Sequence, residues 1–69
     1  MMYEKNQFIL LHDYDDNTPV LINLNSIICI YKNDKETVIK CINDFRQTVH
    51  ESIEKIYKMI QQQNTIDTP

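Results

Sequence analysis

The chain has 69 residues and a formal net charge of -3, from 10 acidic and 7 basic side chains. This length allows a single domain, and such a small domain buries only about 60% of the surface that its unfolded chain exposes. The features that usually stabilise such small domains are scarce. Two cysteines permit one disulfide at most, and no Cys and His spacing is typical of a zinc site.

Charge and hydropathy patterns argue against further classes of protein. Nucleic-acid-binding proteins concentrate positive charge on one surface, whereas the basic residues here are scattered among acids: Lys5, Lys32, Lys35, Lys40, Arg46, Lys55 and Lys58. This balance argues against a nucleic-acid partner. No apolar run approaches the roughly 18 residues of a membrane span, and residues 1–6 lack a signal-peptide pattern. The sequence thus predicts a cytoplasmic protein without a membrane partner, in which both cysteines are reduced.

A flexible lead-in over residues 1–6 precedes one predicted domain over residues 7–62. Five segments dense in apolar and β-branched residues are predicted to be strands: Phe8–His12, Pro19–Ile22, Ile27–Lys32, Thr37–Ile42 and Phe45–Val49. Polar segments separate them, namely a turn at 13–18, an irregular segment at 23–26, a connection at 33–36 and a two-residue turn at 43–44. Because the chain contains no glycine, Asn and Asp must supply the positive φ angles of these turns.

One amphipathic helix follows the strands. Its apolar side chains recur at i, i+3, i+4 and i+7 and form a single stripe: Ile53, Ile56, Tyr57 and Ile60. Ser52 can cap the N-terminus, and Glu51 lies close to the positive end of the helix dipole. The helix is expected to fray from Gln62, and residues 63–69 are predicted to be a disordered tail. The fold class is therefore α+β, an antiparallel four- to five-stranded meander followed by one C-terminal amphipathic helix.

The first and third strands are apolar on both faces. Residues 8–11 and 27–30 are uninterrupted apolar runs, whereas a sheet with one hydrated face should alternate apolar and polar side chains. One helix of about three turns covers one face of such a sheet. A second copy of the chain would cover the other face, and we favour this homo-oligomer because small domains need such support. The alternative is a curled sheet that forms a small partial barrel.

A register for the sheet follows from the turn lengths. A four-residue loop at 33–36 makes Cys29 face Lys40 and Cys41 face Ile28. We expect the helix to pack on one apolar face of the sheet: Ile28, Ile30, Ile39 and Cys41. The two-residue turn at 43–44 then places Lys40 and Arg46 on opposite faces. It also places Val49 on the face away from the helix, which a bend or bulge near Thr48 would correct.

Two groups of residues resemble metal or redox sites in part. Asp13, Asp15 and Asn17 have the spacing of the first three ligands of a calcium loop. Thr18 replaces the glycine that such a loop requires, and Leu24 stands where its bidentate glutamate should be. We interpret this segment as a hydrogen-bonded hairpin loop.

The sulfurs of the two cysteines, Cys29 and Cys41, point to opposite faces in the predicted register, so we interpret both as small buried hydrophobic residues.

The sequence contains no recognisable catalytic motif. His12 and His50 are distant in sequence, and a site would require His50 and Glu51 to meet a cysteine or serine in a pocket. Ser26 and Ser52 belong to no motif that exposes a nucleophile. We therefore expect no enzymatic activity, and assign no catalytic, cofactor-binding or metal-ligating residue.

Three parts of the sequence occur in a characteristic order: Ile27 and Ile30, then Thr37-Val38-Ile39, then the run Val49-His50-Glu51-Ser52 that opens the helix. This order resembles the small FlbD/SwrD-type proteins associated with bacterial flagellar motility. The resemblance covers most of residues 8–60. It implies a ββββα-type fold and a role near flagellar motility, and it carries over no ligand or catalytic residue, because the matching positions are strand formers and a helix cap.

A second resemblance concerns nucleic acid. The run from Ile22 through the strand at 27–31 to a late helix is similar to the LytTR DNA-binding domain, which reads bases with basic residues. Such a function would require Lys32, Lys40 and Arg46 to lie on one face.

Our preferred function is a non-enzymatic interaction module that self-associates through a sheet face or edge and can also bind a protein partner. The LytTR-like regulatory domain is the alternative.

Overall fold

The computed structural model describes residues 7–64, and it shows five antiparallel strands followed by one helix. The strands are β1 (Phe8–His12), β2 (Pro19–Asn23), β3 (Ile27–Asn33), β4 (Glu36–Cys41) and β5 (Arg46–Val49), and the helix is α1 (Ile53–Asn64). Single 3₁₀ turns at Leu24–Ser26 and Ile42–Asp44 join β2 to β3 and β4 to β5. The predicted α+β class, with a meander and a C-terminal helix, is confirmed.

The strands form two sheets that one bridge connects. β1 pairs with β2, and β3, β4 and β5 form a three-stranded sheet in that order. Asp13, just beyond β1, bridges to Val49 of β5. Two backbone hydrogen bonds flank this bridge, from the Tyr14 amide to the Thr48 carbonyl at 3.0 Å and from the His50 amide to the His12 carbonyl at 2.9 Å. The end of the β1–β2 hairpin is thus joined to β5, an edge strand of the three-stranded sheet.

Asn and Asp residues supply the positive φ angles of the turns, as the glycine-free sequence predicts. Asn17, Asp34, Asn43 and Asp44 all have φ between 62° and 64°. Asn and Asp tolerate this region better than other non-glycine residues, because their short polar side chains can bond the nearby backbone. The tight turns of this chain are therefore built without glycine.

The turn between β4 and β5 is one residue longer than predicted, and this changes the register. The Cys41 amide donates to the Phe45 carbonyl at 2.7 Å, so three residues connect the strands. Val49 consequently faces Thr37, and Arg46 faces Lys40. Val49 lies on the core side and is 1% exposed, which corrects its predicted placement on the outer face. No bend near Thr48 is required.

A second correction concerns the end of β3. Cys29 faces Lys40 as predicted, but Ile27, rather than Ile28, faces Cys41 because the register shifts between Ile27 and Cys29. A bulge of this kind turns the extra residue away from its regular face. Ile28 is accordingly 59% exposed and does not pack under the helix.

The core lies between the β1–β2 hairpin, the three-stranded sheet and α1. It contains seven buried side chains: Ile9, Leu11, Ile22, Ile39, Cys41, Val49 and Ile56. Ile56 is 1% exposed at the centre of the helix face, and Met59 and Ile60 pack against the same cluster. Tyr57 is 60% exposed, so its predicted place in the apolar stripe is wrong. The helix is rotated so that the flexible thioether of Met59 packs against the core, while the Tyr57 hydroxyl accepts a hydrogen bond from the Gln61 side-chain amide at 3.0 Å.

Both ends of α1 are tied to the rest of the chain. The Ser52 hydroxyl accepts a hydrogen bond from the Lys55 amide at 3.1 Å, which confirms the predicted cap. At the other end the Gln63 side-chain amide donates to the Phe8 carbonyl at 3.0 Å. The helix therefore continues beyond residue 62, where a disordered tail was predicted. The predicted lead-in (1–6) and the last part of the predicted tail (65–69) lie outside the described residues.

Candidate functional site

The junction of β1, β5 and α1 brings His12, His50 and Glu51 together. Glu51 Oε2 lies 2.7 Å from His12 Nδ1, and Glu51 Oε1 accepts the His12 backbone amide at 3.0 Å. The Glu51 side chain is 9% exposed and that of His12 is 38% exposed. The two contacts hold the end of β1 against the start of α1, across 39 positions of sequence.

Burial and hydrogen bonding act in opposite directions on Glu51. Burial alone would raise the pKa of this carboxyl group, because removal from water disfavours the charged form. The hydrogen bonds from the side chain and backbone of His12 outweigh this effect, so the pKa of Glu51 is lowered from its ordinary 4.5. The ionised carboxylate is thus the form that the fold stabilises.

A second set of polar contacts joins the β1–β2 turn to β5. Asp13 Oδ2 accepts a hydrogen bond from the Gln47 side-chain amide at 2.8 Å, and Asp13 Oδ1 accepts the Asp15 amide at 2.8 Å. These hydrogen bonds, that from Gln47 first, lower the pKa of Asp13. Nearby, the rings of Tyr14 and His50 are in contact, with centroids 5.1 Å apart and planes tilted by 35°. This end of the molecule is therefore a polar cluster whose groups bond one another.

The segment with calcium-loop spacing is a hydrogen-bonded turn. The Asp13 carbonyl accepts the Asn17 amide at 2.9 Å, and Asp16 Oδ1 accepts the Thr18 amide at 3.0 Å. Both carboxylate oxygens of Asp13 already have donors. Within residues 7–64 no group of three or more His, Cys, Asp or Glu side chains is placed to hold a metal ion.

The two cysteines lie on opposite sides of the three-stranded sheet, as the register predicts. Cys41 is buried in the core, where burial raises the pKa of its thiol. Cys29 is exposed, so the interpretation of both cysteines as buried hydrophobic residues is correct for Cys41 alone. Neither thiol is in a disulfide.

A concave site does lie beside His50, as catalysis would require. A cavity of about 230 Å³ is lined by His50 and Ser52, among others. The Ser52 hydroxyl accepts the Lys55 amide as the helix cap, and Glu51 is directed to His12 rather than to His50. Ser52, His50 and Glu51 are therefore not connected by hydrogen bonds as a nucleophile, a base and an orienting group.

The basic residues of the sheet are arranged differently from the prediction. Lys40 and Arg46 lie directly opposite each other across β4 and β5, so they share a face. Lys32 pairs with Thr37, and side chains alternate along β4. Lys32 therefore lies on the other face, and the three cations do not converge.

A continuous apolar surface remains exposed along the outer side of the molecule. We define this apolar surface as five side chains that are 40–64% exposed: Phe8, Leu10, Leu21, Ile42 and Phe45. Leu10 and Leu21 are cross-strand partners, and Phe8 lies two residues from Leu10 on the same side of β1. Leu21, Ile42 and Phe45 line one cavity of about 300 Å³. The residues that line this cavity include no charged side chain.

Sequence reasoning found part of this surface. The doubly apolar run at 8–11 indicated that Phe8 and Leu10 would need cover. It did not indicate Ile42 and Phe45, which were predicted to be strand residues. The pair Asn43-Asp44 predicted a two-residue turn, and the three-residue connection that takes Ile42 out of the strand pairing had no sequence signal.

Comparisons with known proteins add no assignment. No protein-family model matches the chain, and searches of curated proteins and of solved structures found no match. No helix within residues 7–64 is long and apolar enough to cross a membrane.

Proposed function

We propose that this chain is a non-enzymatic interaction module that self-associates through the apolar surface. The observation that carries the proposal is the exposure of five large apolar side chains in one continuous patch, from Phe8 at 40% to Leu21 at 64%. Monomeric soluble proteins seldom leave such an apolar patch exposed to water. Burial of the patch between two protein chains supplies most of the free energy of their association.

A second copy of the chain is the partner that fits this surface. A two-fold axis would bring identical patches together, which is the commonest arrangement of soluble homo-oligomers. The cavity at the centre of the patch has apolar walls and an uncharged polar rim, contributed by Asn23, Ser26 and Asn43. Two copies with a net charge of -3 each can therefore meet without placing like charges in contact.

Variants of the patch test the proposal in solution. Leu21→Gln and Phe45→Gln should each convert the assembly to the monomer of 8.3 kDa, measured by size-exclusion chromatography with light scattering. Tyr57→Gln is the matched control, because this equally exposed aromatic residue lies on α1 outside the patch. Association that survives both patch variants but is lost in Ile28→Gln would instead indicate pairing through the β3 edge.

The proposed process is bacterial flagellar motility, and the proposed compartment is the cytoplasm. The first rests on the FlbD/SwrD-type resemblance of the run from Thr37 to Ile56. The second is supported by the exposed thiol of Cys29, since a reducing compartment maintains such a thiol. Deletion of the encoding gene should reduce swimming or swarming, and normal motility would remove this part of the proposal.

Nucleic-acid binding of the LytTR type is a second candidate, supported by one observation. Lys40 and Arg46 share a face of the sheet, whereas the predicted register separated them; Lys32, the third cation that this function requires there, lies on the other face. Two cations neutralise few phosphates, so the logarithm of affinity should fall against the logarithm of salt with a slope of about -2. A gel shift with mixed DNA at low salt tests this, and an absence of binding there excludes the candidate.

A further inference from the structure

A polar cavity lies at the opposite end of β4 from the apolar surface. Its volume is about 230 Å³, and it separates the β3–β4 turn from the N-terminus of α1. Six of the side chains that line it can donate a hydrogen bond or carry charge: Lys32, Lys35, Thr37, His50, Ser52 and Glu54. The polar cluster around Glu51 does not use them, apart from the ring contact of His50 with Tyr14 and the capping bond of Ser52.

Thr37 is the residue that points to a ligand. It is 5% exposed, the one polar or charged residue among the buried side chains of the described chain. Its hydroxyl has no hydrogen-bond partner within residues 7–64. Every fully shielded side-chain oxygen in these residues does have a partner, so the Thr37 hydroxyl is not fully shielded. It remains slightly exposed through the cavity that Thr37 lines. Buried hydroxyl groups are normally satisfied, because an unpartnered one is costly.

The charges around Thr37 favour an anion. Lys32 and Lys35 contribute two positive charges at the cavity, and Glu54 contributes one negative charge. The helix has 12 residues, and its positive dipole end faces the same space. Ser52 accepts the amides of Lys55 and Ile56, which leaves the amides of Ile53 and Glu54 without a partner in the described chain. Such first-turn amides are the donors that bind phosphate at helix N-termini.

We propose that this cavity binds a small tetrahedral oxyanion, either inorganic phosphate or the phosphate group of a small molecule. The Thr37 hydroxyl and the first amides of α1 donate hydrogen bonds to its oxygens, and the ammonium groups of Lys32 and Lys35 balance its charge. The cavity is smaller than the 300–1,000 Å³ typical of sites for drug-sized ligands, which fits an ion or a single phosphate group. The site is independent of the apolar surface, so it can be tested whether or not the chain self-associates.

A titration of the full chain, followed by ¹H–¹⁵N NMR, tests the proposal. Sodium phosphate at constant ionic strength should shift the amide signals of Thr37, Ile53 and Glu54 saturably, and sodium chloride should not. A second arm with glycerol 3-phosphate distinguishes the two sources: an equal response identifies the phosphate group as the ligand, and a response to phosphate alone identifies the free anion. Both results support the site.

Substitutions then distinguish binding through the proposed contacts from attraction of the anion to the overall charge of the protein. Thr37→Val keeps the shape of a buried residue and removes the hydroxyl, and it should weaken phosphate binding about tenfold. Lys35→Gln, in an exposed turn where it cannot disturb the core, should weaken binding similarly. Glu54→Gln should strengthen binding, because it removes the opposing charge. Lys40→Gln is the charge-matched control on the other face of β4 and should leave binding unchanged.

Three results would overturn the proposal. Shifts that rise linearly without saturation, or that chloride reproduces, indicate an adventitious ion only. Equal weakening by Lys40→Gln and Lys35→Gln indicates attraction to overall charge. A Thr37→Val protein that keeps a well-dispersed free spectrum and binds phosphate with unchanged affinity removes the hydroxyl from the site.

Discussion

Individual residues determine how the helix is held to the strands, and Glu51 is the clearest case. Its carboxylate accepts both the side chain and the backbone amide of His12. No neighbouring position of the sequence reveals this contact, because His12 and Glu51 are joined only when β1 crosses beside β5. The pair was therefore beyond prediction, even though Glu51 was correctly placed beside the helix start.

Replacement of Glu51 should make stability less dependent on pH. A carboxyl group with a lowered pKa contributes stability that is fully present above its ordinary value of 4.5 and is lost as pH falls through the folded-state value. Glu51→Gln removes this charge but keeps one acceptor, so it should cost about 1–2 kcal/mol at pH 7 and less at pH 3. Urea unfolding at the two pH values measures the difference. A loss that is equal at both would show that the ionised form is not favoured.

Ile56 tests the packing of the helix on the core. Its side chain is 1% exposed between the two sheets, so Ile56→Ala should lower the free energy of unfolding by about 2–5 kcal/mol. Tyr57→Ala, one residue along on the exposed side, should change it by about 0.5 kcal/mol or less. Thermal and urea unfolding of the two variants can be compared directly. Similar losses for both would contradict the helix orientation.

At the scale of elements, the sequence predicted strand and helix positions well and the register less well. The five strands and the helix cap occur where apolar runs and Ser52 indicated them. Two local events could not be predicted, because each depends on backbone geometry rather than composition: the bulge at Ile28 and the third residue in the β4–β5 turn. Each moves side chains to another face, and the turn alone accounts for Val49 in the core and Arg46 beside Lys40.

The β4–β5 turn itself makes a prediction. Asp44 has φ of 62°, a region that glycine occupies more readily than any other residue. The left-handed region costs a non-glycine residue about 1–2 kcal/mol, and the greater loss of chain entropy by glycine offsets about 0.5–1 kcal/mol of this. Asp44→Gly should therefore stabilise the protein by about 0.5–1 kcal/mol. Asn25→Gly is the control, because Asn25 lies in a turn without positive φ and glycine there should destabilise by a similar amount. Destabilisation by both would mean that the Asp44 side chain contributes more than its backbone strain costs.

The candidate site was less predictable than the fold. The sequence indicated that apolar side chains at 8–11 would lack cover, and the structure leaves Phe8 and Leu10 exposed. The polar cavity at Thr37 had no sequence signal, because Lys35, Thr37 and Ser52 are ordinary residues of a turn, a strand and a cap. The fold brings them together by placing α1 beside the β3–β4 turn.

For the whole molecule, we propose different roles for the two ends of β4. We propose that the apolar surface binds a second copy of the chain and that the Thr37 cavity binds an anion. Salt should affect self-association and anion binding in opposite ways. Association of two chains with net negative charge should strengthen as salt screens their repulsion, whereas anion binding should weaken as chloride screens Lys32 and Lys35. Light scattering and NMR titration at 50 mM and about 500 mM sodium chloride measure both effects.

Self-association is the central claim, and sedimentation equilibrium of the unmodified chain tests it most directly. The claim predicts an average mass that rises with concentration from 8.3 kDa toward a whole-number multiple of that mass. In Leu21→Gln the rise should shift to higher concentration or disappear. An unmodified chain that stays at 8.3 kDa at high micromolar concentration, in low and in high salt, would contradict the account.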